Sequence, residues 1–266
     1  MSLDLTKYKL LSFDIYATLI DWESGLYIAL QSLIKRLPSD SQFRNRKPIL
    51  KAFSDHEHAI HREHPSMLYP DVLKECYRRL AAQLGDQATE TEKNQEATAF
   101  SQSIGSWPAF PDTVGAMRKL GQHYKLAVLS NVDHASFNRT LTGPLCGSSP
   151  SGVHFDAIYT AQDIGSYKPD LRNFEYLIAH AQQDFGVTKE EILHVAQSLR
   201  HDHVPAKSIG LDPGVWISRG GGEGKESAMG GSRELLEGEG KIKLGAVFTT
   251  LGDFAKAVEE AFGGKS

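Results

Sequence analysis

Short apolar runs that alternate with helical patterns are the feature that most limits how this chain can fold. Each run is too short for a helix and has the unbroken apolar character of a strand buried on both faces. The runs are Tyr8–Ile15, Tyr124–Ser130, Ala157–Tyr159, Ile192–Ala196, Val215–Ile217 and Ala246–Phe248. The helical patterns that accompany them are Thr113–Leu120, Asn173–Asp184 and Phe254–Ala261. Strands that alternate with helices predict βαβ units, and hence an α/β fold with a Rossmann-like, doubly wound parallel sheet.

Residues 22–105 do not share this alternation. They contain no convincing strand, and their helical stretches are Gly25–Arg36, Pro48–His61, Pro70–Gln83 and Glu92–Ile104. Pro108 and Pro111 mark the return to the sheet-forming part of the chain. We therefore predict a helical cap of residues 22–105 inserted after the first strand, and an α/β core of residues 1–21 and 106–266.

Charge and composition limit the partners that the chain can have. Its 266 residues include 29 Lys and Arg and 33 Asp and Glu, for a formal net charge of −4, and no long basic run. A nucleic-acid groove needs clustered positive charge, so we expect no nucleic-acid partner. No segment approaches the ~20 apolar residues of a membrane helix, and the first residues lack the apolar core of a signal peptide. We therefore expect no membrane partner and a cytoplasmic location, which the two widely spaced cysteines also favour.

The segment 219–240 is a low-complexity stretch that is rich in glycine. Gly224 and Lys225 raise the possibility of a phosphate-binding P-loop. Glu226 stands where such a loop has the Ser or Thr that binds Mg²⁺, and Arg219 stands where the first Gly belongs. We therefore interpret 219–240 as a flexible surface loop of the core.

Polar side chains stand at the ends of the predicted strands or beside a helix. Asp14 ends the first strand, and Lys168 precedes the helix that begins near Asn173. Taken alone, a strand-end aspartate often only caps a turn, and a lone loop lysine is usually solvated. The other members of the set are Ser130, Asn131, Ser198 and Asp202. Because the carboxyl ends of parallel strands share one edge of the sheet, we expect these groups to converge on one pocket.

The order of these residues resembles a known pattern. The chain reads Asp-x-Tyr-x-Thr from Asp14, then Ser-Asn, then Lys-Pro at Lys168, then a late Asp202. This order is similar to that of the haloacid dehalogenase (HAD) superfamily, and specifically of the type II 2-haloacid dehalogenases, over nearly the whole chain. The resemblance implies a HAD-like core with a cap after the first strand, and it suggests a homodimer. It also implies a hydrolase that cleaves the carbon–halogen bond of a small 2-halocarboxylate without a metal or other cofactor.

The resemblance further implies a role for each residue. Asp14 would be the nucleophile, forming an aspartyl ester that water then hydrolyses, and Thr18 would hold it by a hydrogen bond. Lys168 would keep Asp14 ionised, since a nearby cation favours the charged form. Ser130 would bind the substrate carboxylate, and Asn131 would bind the departing halide.

Three further positions bear on the reaction. Asp202, together with Ser198, is implied to order the pocket and the hydrolytic water. Tyr16, counted among the substrate-binding residues, separates two chemistries within the superfamily. Phosphatases of the superfamily have an Asp two places after the nucleophile, because an alkoxide leaving group must receive a proton. A halide leaves without one. Tyr16 therefore favours carbon–halogen cleavage over phosphate-ester hydrolysis.

The chain also departs from the dehalogenase pattern. Ala17 replaces a Gly, so the turn after Asp14 is expected to avoid conformations that only Gly adopts easily. Phe174 stands where the dehalogenases have a substrate-binding Tyr, and the segment around Ser198 is one residue longer than the family's Ser-Ser-Asn-x-x-Asp. Residues 52–58, where the halide-binding arginine of the cap is expected, contain no Arg. The candidates left for that role are Arg44, Arg46 and Arg62.

Two other functions stay open because of these departures. The missing cap arginine is compatible with a Mg²⁺-dependent phosphatase that acts on a small substrate, with Asp14 and Asp202 holding the ion. The altered turn and the altered segment before Asp202 are compatible with a non-catalytic binding protein that retains the fold. On the cap, His56, Glu57 and His61 are candidate substrate contacts, although a solvated helix face is the simpler interpretation.

Overall fold

A six-stranded sheet is the centre of the computed structural model, which describes residues 3–147, 152–220 and 231–264. Its strands are β1 (Leu10–Phe13), β2 (Lys125–Ser130), β3 (Ala157–Thr160), β4 (Ile192–Ala196), β5 (Gly214–Ile217) and β6 (Leu244–Phe248). The strand order is β3-β2-β1-β4-β5-β6, and every neighbouring pair is parallel. Each strand overlaps one of the apolar runs, which confirms the predicted parallel sheet.

The central strand, β1, lies between β2 and β4. Leu11 pairs with Leu126 of β2 on one side and with Leu193 of β4 on the other. The chain therefore crosses over in opposite directions on the two sides of β1, which opens a crevice at the carboxyl ends of these strands. Asp14 is the first residue beyond the end of β1.

Five α-helices lie within residues 22–105, where the cap is predicted. They are α1 (Trp22–Ala29), α2 (Gln31–Arg36), α3 (Arg46–Glu63), α4 (Tyr69–Gln83) and α5 (Glu90–Gln102). The predicted helix Gly25–Arg36 is thus two helices that meet at Leu30. On α4 the buried residues recur every three or four positions and form one apolar stripe, as in Val72, Cys76 and Leu80. The division of the chain at residues 21 and 105 stays a prediction.

The two connections between these helices and the sheet run side by side. The Asp21 N–H donates to the Pro108 carbonyl at 2.8 Å, so the outgoing and returning segments are joined directly. Gly25 of α1 packs against the indole of Trp107, where an added Cβ atom would lie only 2.3 Å from Cγ. A side chain at Gly25 would therefore push α1 away from the returning segment.

Helices cover both faces of the sheet because successive strand residues point to opposite sides. Leu11 and Phe13 pack in one apolar cluster with α6 (Thr113–Leu120) and α12 (Leu251–Gly263). Leu10 packs in a second cluster with α9 (Arg172–Phe185) and α10 (Val204–Ser208). The remaining helices of this part are α7 (His134–Thr142), α8 (Ala161–Ile164) and α11 (Arg233–Gly238). The cover on two sides confirms the doubly wound α/β architecture, and no helix in the described ranges is both long and apolar enough to cross a membrane.

The glycine-rich segment 219–240 is not one continuous loop. Residues 221–230 lie outside the described ranges, so the predicted flexible loop is untested there. Residues 233–238 form α11, and for them the prediction of a loop is wrong. The helix forms because the Ser232 side chain caps its first turn and Leu236 packs against Trp216 of β5.

Candidate active site

A small cavity lies at the carboxyl end of β1, between the core and the cap helices. Its volume is about 40 Å³. The core contributes Asp14, Tyr16, Ser130, Asn131, Lys168, Ser198, His201 and Asp202, and the cap contributes Trp22, Glu57, His61 and Tyr69. Seven of the eight predicted site residues therefore line one cavity, and the eighth, Thr18, bonds directly to Asp14.

A tight turn after β1 positions the candidate nucleophile. Thr18 Oγ1 donates a hydrogen bond to Asp14 Oδ2 at 2.6 Å. Ala17 has a φ of +73°, in the left-handed region that favours glycine, so the expectation that it avoids this region is wrong. The conformation is held because the Ala17 N–H donates to the Ile20 carbonyl at 2.8 Å and the Ile20 N–H donates to the Ile15 carbonyl at 3.0 Å.

Arg219 fixes the same turn. Its Nε and Nη2 donate to the Thr18 carbonyl at 2.9 and 2.6 Å, and its Nη1 donates to the Asp112 carboxylate at 2.7 and 2.9 Å. Its guanidinium carbon lies 4.0 Å from the centre of the Phe110 ring. Sequence reasoning missed Arg219 because it opens a glycine-rich segment in which no periodicity identifies a structural partner.

Lys168 joins two carboxylates at the bottom of the cavity. Its Nζ donates to Asp14 Oδ1 at 3.0 Å, to Asp202 Oδ1 at 2.6 Å and to the Leu129 carbonyl at 2.8 Å. Burial alone would lower the pKa of Lys168, but the two carboxylates outweigh burial and raise it. Lys168 is therefore a buried cation with three partners, and the solvated loop lysine is excluded.

The segment that carries Lys168 is held by Asn131. The Asn131 Oδ1 accepts the Lys168 N–H at 2.6 Å, and the Asn131 Nδ2 donates to the Lys168 carbonyl at 3.0 Å. Both polar atoms of the amide thus serve to position Lys168. The predicted contact of Asn131 with a departing halide stays a prediction, and it would have to be made alongside these two bonds.

Asp202 completes a buried polar chain that runs under the cavity. Its Oδ1 also accepts from His194 Nε2 at 2.9 Å, while His194 Nδ1 lies 3.1 Å from Ser12 Oγ. Burial raises the pKa of Asp202, but Lys168 and His194 outweigh it and hold the pKa below the usual range. Sequence reasoning missed His194, although a histidine inside the apolar run of β4 is a signal that could have identified it.

The pKa of Asp14 moves in the opposite direction. Burial raises it above the usual range, and the negative charge of Asp202 adds to that effect. Lys168 and the hydrogen bond from Thr18 lower it but do not cancel the effect of burial. The ionised form of Asp14 is thus less stable than an exposed aspartate, which makes its carboxylate a stronger base and a more reactive nucleophile.

Three polar atoms beside the cavity have no hydrogen-bond partner among the residues that the structure describes. They are Ser130 Oγ, Asp202 Oδ2 and His61 Nε2, and all three are buried. Buried polar groups in proteins are nearly always paired, so atoms of this kind at a cavity indicate a polar occupant. Both donors and acceptors are available to such an occupant, since a serine hydroxyl can donate and a carboxylate oxygen can only accept.

On the cap side of the cavity, Glu57 of α3 is the acidic group. It is 4% exposed, and the Tyr69 hydroxyl donates to its Oε1 at 2.8 Å. Burial raises the pKa of Glu57 to about 7, against a smaller opposing effect of the bond from Tyr69. Glu57 is therefore partly protonated near neutral pH. The neighbouring candidate His56 bonds to Gln83 instead and does not line the cavity.

Histidines connect α3 to the core. His61 stacks on Tyr167 with ring centres 3.9 Å apart, and burial lowers its pKa to about 3. His58 Nε2 lies 3.0 Å from His201 Nε2. Ser198 Oγ accepts the backbone N–H of His201 at 3.1 Å. Burial lowers the pKa of His201 to about 4 and also lowers that of His58. The pair is therefore neutral near pH 7, with one imidazole donating and the other accepting.

No arginine is among the described residues that line the cavity. Arg44 donates to a backbone carbonyl at 2.8 Å, Arg46 lies 3.4 Å from Glu23, and Arg62 is exposed on α3. None of the three candidates for the halide-binding arginine thus reaches the cavity. Among the described lining residues, the one lysine or arginine is Lys168, and two carboxylates already compensate its charge.

Tyr16 also lines the cavity. Its hydroxyl lies 2.9 Å from Thr140 Oγ1, and its ring contacts those of Tyr69 and Trp107 at centre distances of 6.4 and 5.8 Å. Burial raises the pKa of Tyr16. The residue two places after Asp14 is therefore neutral, bonded to a threonine and unable to act as a carboxylic acid.

The residues present give limited support for a metal ion. Within the described ranges, no group of three or more His, Cys, Asp and Glu side chains is arranged to hold one. Asp14 and Asp202 each use an oxygen to accept from Lys168, and the unpartnered Asp202 Oδ2 is the remaining acceptor between them. The predicted metal independence stays a prediction.

Comparison with known proteins places this geometry in context. A family model described as a haloacid dehalogenase-like hydrolase matches residues 8–210. Among curated proteins, none matches the sequence closely enough to count as a relative.

Solved structures share the fold over nearly the whole chain. An L-2-haloacid dehalogenase from Xanthobacter autotrophicus gives a TM-score of 0.70 at 19% identity, with 95% of this chain and 98% of that chain covered. A second structure of that name, with chloropropionic acid covalently bound, gives 0.68 at 19% identity and the same coverage. The putative HAD-hydrolase YfnB from Bacillus subtilis, bound to magnesium, gives 0.67 at 18% identity, covering 95% and 99%. At these identities the likeness shows the fold alone.

Proposed function

Since the chain belongs to the haloacid dehalogenase-like hydrolases, we propose that it cleaves the carbon–halogen bond of a small 2-halocarboxylate through an ester on Asp14. The observation that carries this proposal is the pairing of Asp14 with both Lys168 and Thr18 beside a cavity of about 40 Å³. The small volume of this cavity favours a small substrate over a large one. Tyr16 adds support because, bonded to Thr140, it offers no acid that an alkoxide leaving group could use.

In the first step, a carboxylate oxygen of Asp14 attacks C2 of the substrate. The new C–O bond forms as the halogen leaves with both electrons of the carbon–halogen bond, as halide. Lys168 and Thr18 each hold one oxygen of Asp14, which limits rotation of the carboxylate before the attack. The attack converts a charged carboxylate into a neutral ester, and Asp202 still compensates Lys168 once that charge is gone.

In the second step, water attacks the ester carbonyl carbon of Asp14. The acyl C–O bond breaks and the water oxygen enters the restored carboxylate. One water proton goes to the alkoxide oxygen of the departing 2-hydroxycarboxylate, and the other is released to solvent. Asp202 Oδ2 has no partner in the described part of the chain and is suited to accept a hydrogen bond from this water, since Lys168 and His194 already occupy Oδ1. Ser130 Oγ, also unpartnered, is suited to donate to the substrate carboxylate.

A second candidate function is a Mg²⁺-dependent phosphatase. It is favoured by the unpartnered Asp202 Oδ2 in the same cavity as Asp14, and by a cavity lining that holds no arginine among the described residues. Mg²⁺ takes oxygen ligands and is often held by one or two carboxylates together with substrate phosphate and water. Asp14 and Asp202 are the residues that would hold the ion, and the ion would neutralise charge on a transferring phosphoryl group.

Halide release separates the two functions. Both enantiomers of 2-chloropropionate, together with 2-bromoacetate, are incubated with the protein in EDTA and in Mg²⁺, and free halide is measured. We expect release that EDTA does not affect and that Asp14→Asn abolishes. Phosphate release from a panel of small esters only in Mg²⁺, without any halide release, would instead establish the phosphatase. If Asp14→Asn affected neither reaction, or if neither occurred, the assignment of a nucleophile would be wrong.

A further inference from the structure

The direction in which a leaving group departs is set by the position of the nucleophile. Displacement at a saturated carbon requires the attacking oxygen, the carbon and the leaving group to lie in line. Asp14 belongs to the core side of the cavity, and the opposite side is formed by the cap residues Trp22, Glu57, His61 and Tyr69. A halide displaced by Asp14 therefore departs toward the cap.

The cap side offers this halide no cation. Glu57 and His61 are its titratable groups other than Tyr69, and the Tyr69 hydroxyl is already donated to Glu57. An ionised Glu57 would repel a departing anion inside a small buried cavity, where charges are weakly screened. A protonated Glu57 would instead present an O–H donor, and hydrogen bonds to charged acceptors are among the strong ones.

We propose that Glu57 acts in its protonated form and donates the hydrogen bond of its carboxylic acid to the departing halide. The proposal rests on the proposed function and names the group that receives the leaving atom. Tyr69 holds Oε1, so the acid proton belongs on the other carboxyl oxygen. The carbon–halogen bond breaks with both electrons going to the halogen, the proton stays on Glu57, and the halide leaves as the free anion.

The surroundings of Glu57 favour the neutral acid. It has no ion-pair partner among the described residues, and burial, opposed only by the hydrogen bond from Tyr69, raises its pKa to about 7. The titratable groups that face it or share its cavity are Tyr69 and Cys76 of α4, His61 of α3, Tyr16 and Asp14 after β1, Tyr167 and Lys168 before α9, and His201 and Asp202 after β4. His61 is neutral near pH 7, and Lys168 is bonded to both aspartates. A bound substrate carboxylate adds negative charge and further favours the protonated form.

The test is the pH dependence of halide release in variants of Glu57. In the native protein we expect the rate to fall about tenfold per pH unit above about pH 7, as the donor is lost. Glu57→Gln keeps a neutral donor. At low pH its rate should be only a few-fold below that of the native protein, and it should then stay constant as the pH rises. Glu57→Leu removes the donor and should lower the rate about 10–100-fold. His61→Gln should retain the native fall above pH 7, because His61 titrates near 3.

A matched control is available on the same helix. Glu63 of α3 bonds to Arg79 outside the cavity, so Glu63→Gln should preserve both the rate and its pH dependence. If Glu57→Gln kept the native fall above pH 7, or if Glu57→Leu were as active as the native protein, the proposal would be overturned.

Chloride binding separates this proposal from the proposed function. In the Asp14→Asn background, which removes the charge of the nucleophile, ³⁵Cl line broadening measures chloride binding without turnover. We expect binding to weaken about tenfold or more between about pH 5.5 and 8.5, and the dependence to vanish when Glu57→Gln is added. Binding with this pH dependence but no halide release would overturn the reaction and retain the Glu57 site. Chloride binding that is independent of pH, or absent, would overturn the role of Glu57.

Discussion

The two sides of the cavity are stabilised in different ways. On the core side, Asp14, Lys168 and Asp202 form a buried ion network in which each carboxylate bonds to the lysine. On the cap side, Glu57 has a single hydrogen bond from Tyr69 and no ion pair among the described residues. The core side is therefore fixed in charge and geometry, whereas the charge of the cap side changes near neutral pH. Under the proposed function, the core would set the type of reaction and the cap would set the leaving group and the substrate.

The largest expected effect comes from removing the charge that fixes the core side. Lys168→Met leaves Asp14 and Asp202 buried without their shared cation, and breaking a buried ion pair in this way costs about 3–5 kcal/mol of the free energy of unfolding. The pKa of Asp14 should rise further, because the cation that favours its charged form is gone, and halide release should fall about 10–10³-fold. Urea denaturation and halide release measure the two effects. Lys35→Met, on the exposed surface of α2, is the matched control and should change neither.

A variant Lys168→Met that is as stable as the native protein would contradict the comparison between the two sides. It would mean that the ion network does not hold the core side, and that packing alone fixes Asp14.

The next prediction concerns the contact between His58 of the cap and His201 of the core, which we expect to be acid-sensitive. Burial lowers the pKa of His201 to about 4 from an ordinary value of 6.5, so the folded state prefers the neutral imidazole. Its contribution to stability is present above pH 6.5 and is lost as the pH falls toward 4. We expect a loss of roughly 2–3 kcal/mol of unfolding free energy from this group over that range. Urea unfolding at several pH values measures this loss. In His201→Gln, the total loss of unfolding free energy on acidification should be smaller than in the native protein by this amount.

His56→Gln is the control for this prediction, because His56 is bonded to Gln83 and lies outside the cavity. It should retain the acid sensitivity of the native protein. If His201→Gln also retained it, the neutral histidine pair would not be the acid-sensitive contact, and the other buried histidines with lowered pKa, His61 and His203, would account for the loss.

Much of the core side could be predicted from the sequence. Apolar runs too short for helices identified all six strands, and residues that follow the ends of parallel strands must meet at one edge of the sheet. The strand order was therefore enough to predict that three residues lie close together, namely Asp14, Ser130 and Asp202. Lys168 is not at a strand end, and its place came from the resemblance and from the bonds that Asn131 makes to its segment.

The cap side could not be predicted in the same way. Helical periodicity shows which residues share a face of α3, but the core that this face meets is determined by tertiary packing. Glu57 and His61 were therefore only candidates, and Tyr69 was missed. Arg219 and His194 were missed for a related reason, since each acts through a partner that is distant in the chain. The conformation of Ala17 was predicted wrongly because hydrogen bonds of the whole turn outweigh the preference of one residue.

A smaller effect is expected where the two sides meet, at Tyr16. Its hydroxyl bonds to Thr140, so Tyr16→Phe should lower the unfolding free energy by about 0.5–1.5 kcal/mol, the net contribution of one hydrogen bond. Halide release should change by less than about threefold, because the hydroxyl is directed to Thr140 and the ring remains. Thermal unfolding and halide release check the two parts. A large loss of activity with native stability would show that the hydroxyl contacts substrate, as the resemblance to dehalogenases implies.

The smallest effect, and one of opposite sign, is expected at Ala17. Its φ of +73° costs an alanine about 1–2 kcal/mol, which glycine avoids. Glycine also gains freedom in the unfolded chain, so Ala17→Gly should raise the unfolding free energy by only about 0.5–1 kcal/mol. The matched substitution Ala99→Gly, on the exposed face of α5, should lower it by a similar amount because Ala99 has helical geometry. If both variants lost stability, the turn after Asp14 would not be strained, and the rigidity of the core side would rest on the ion network alone.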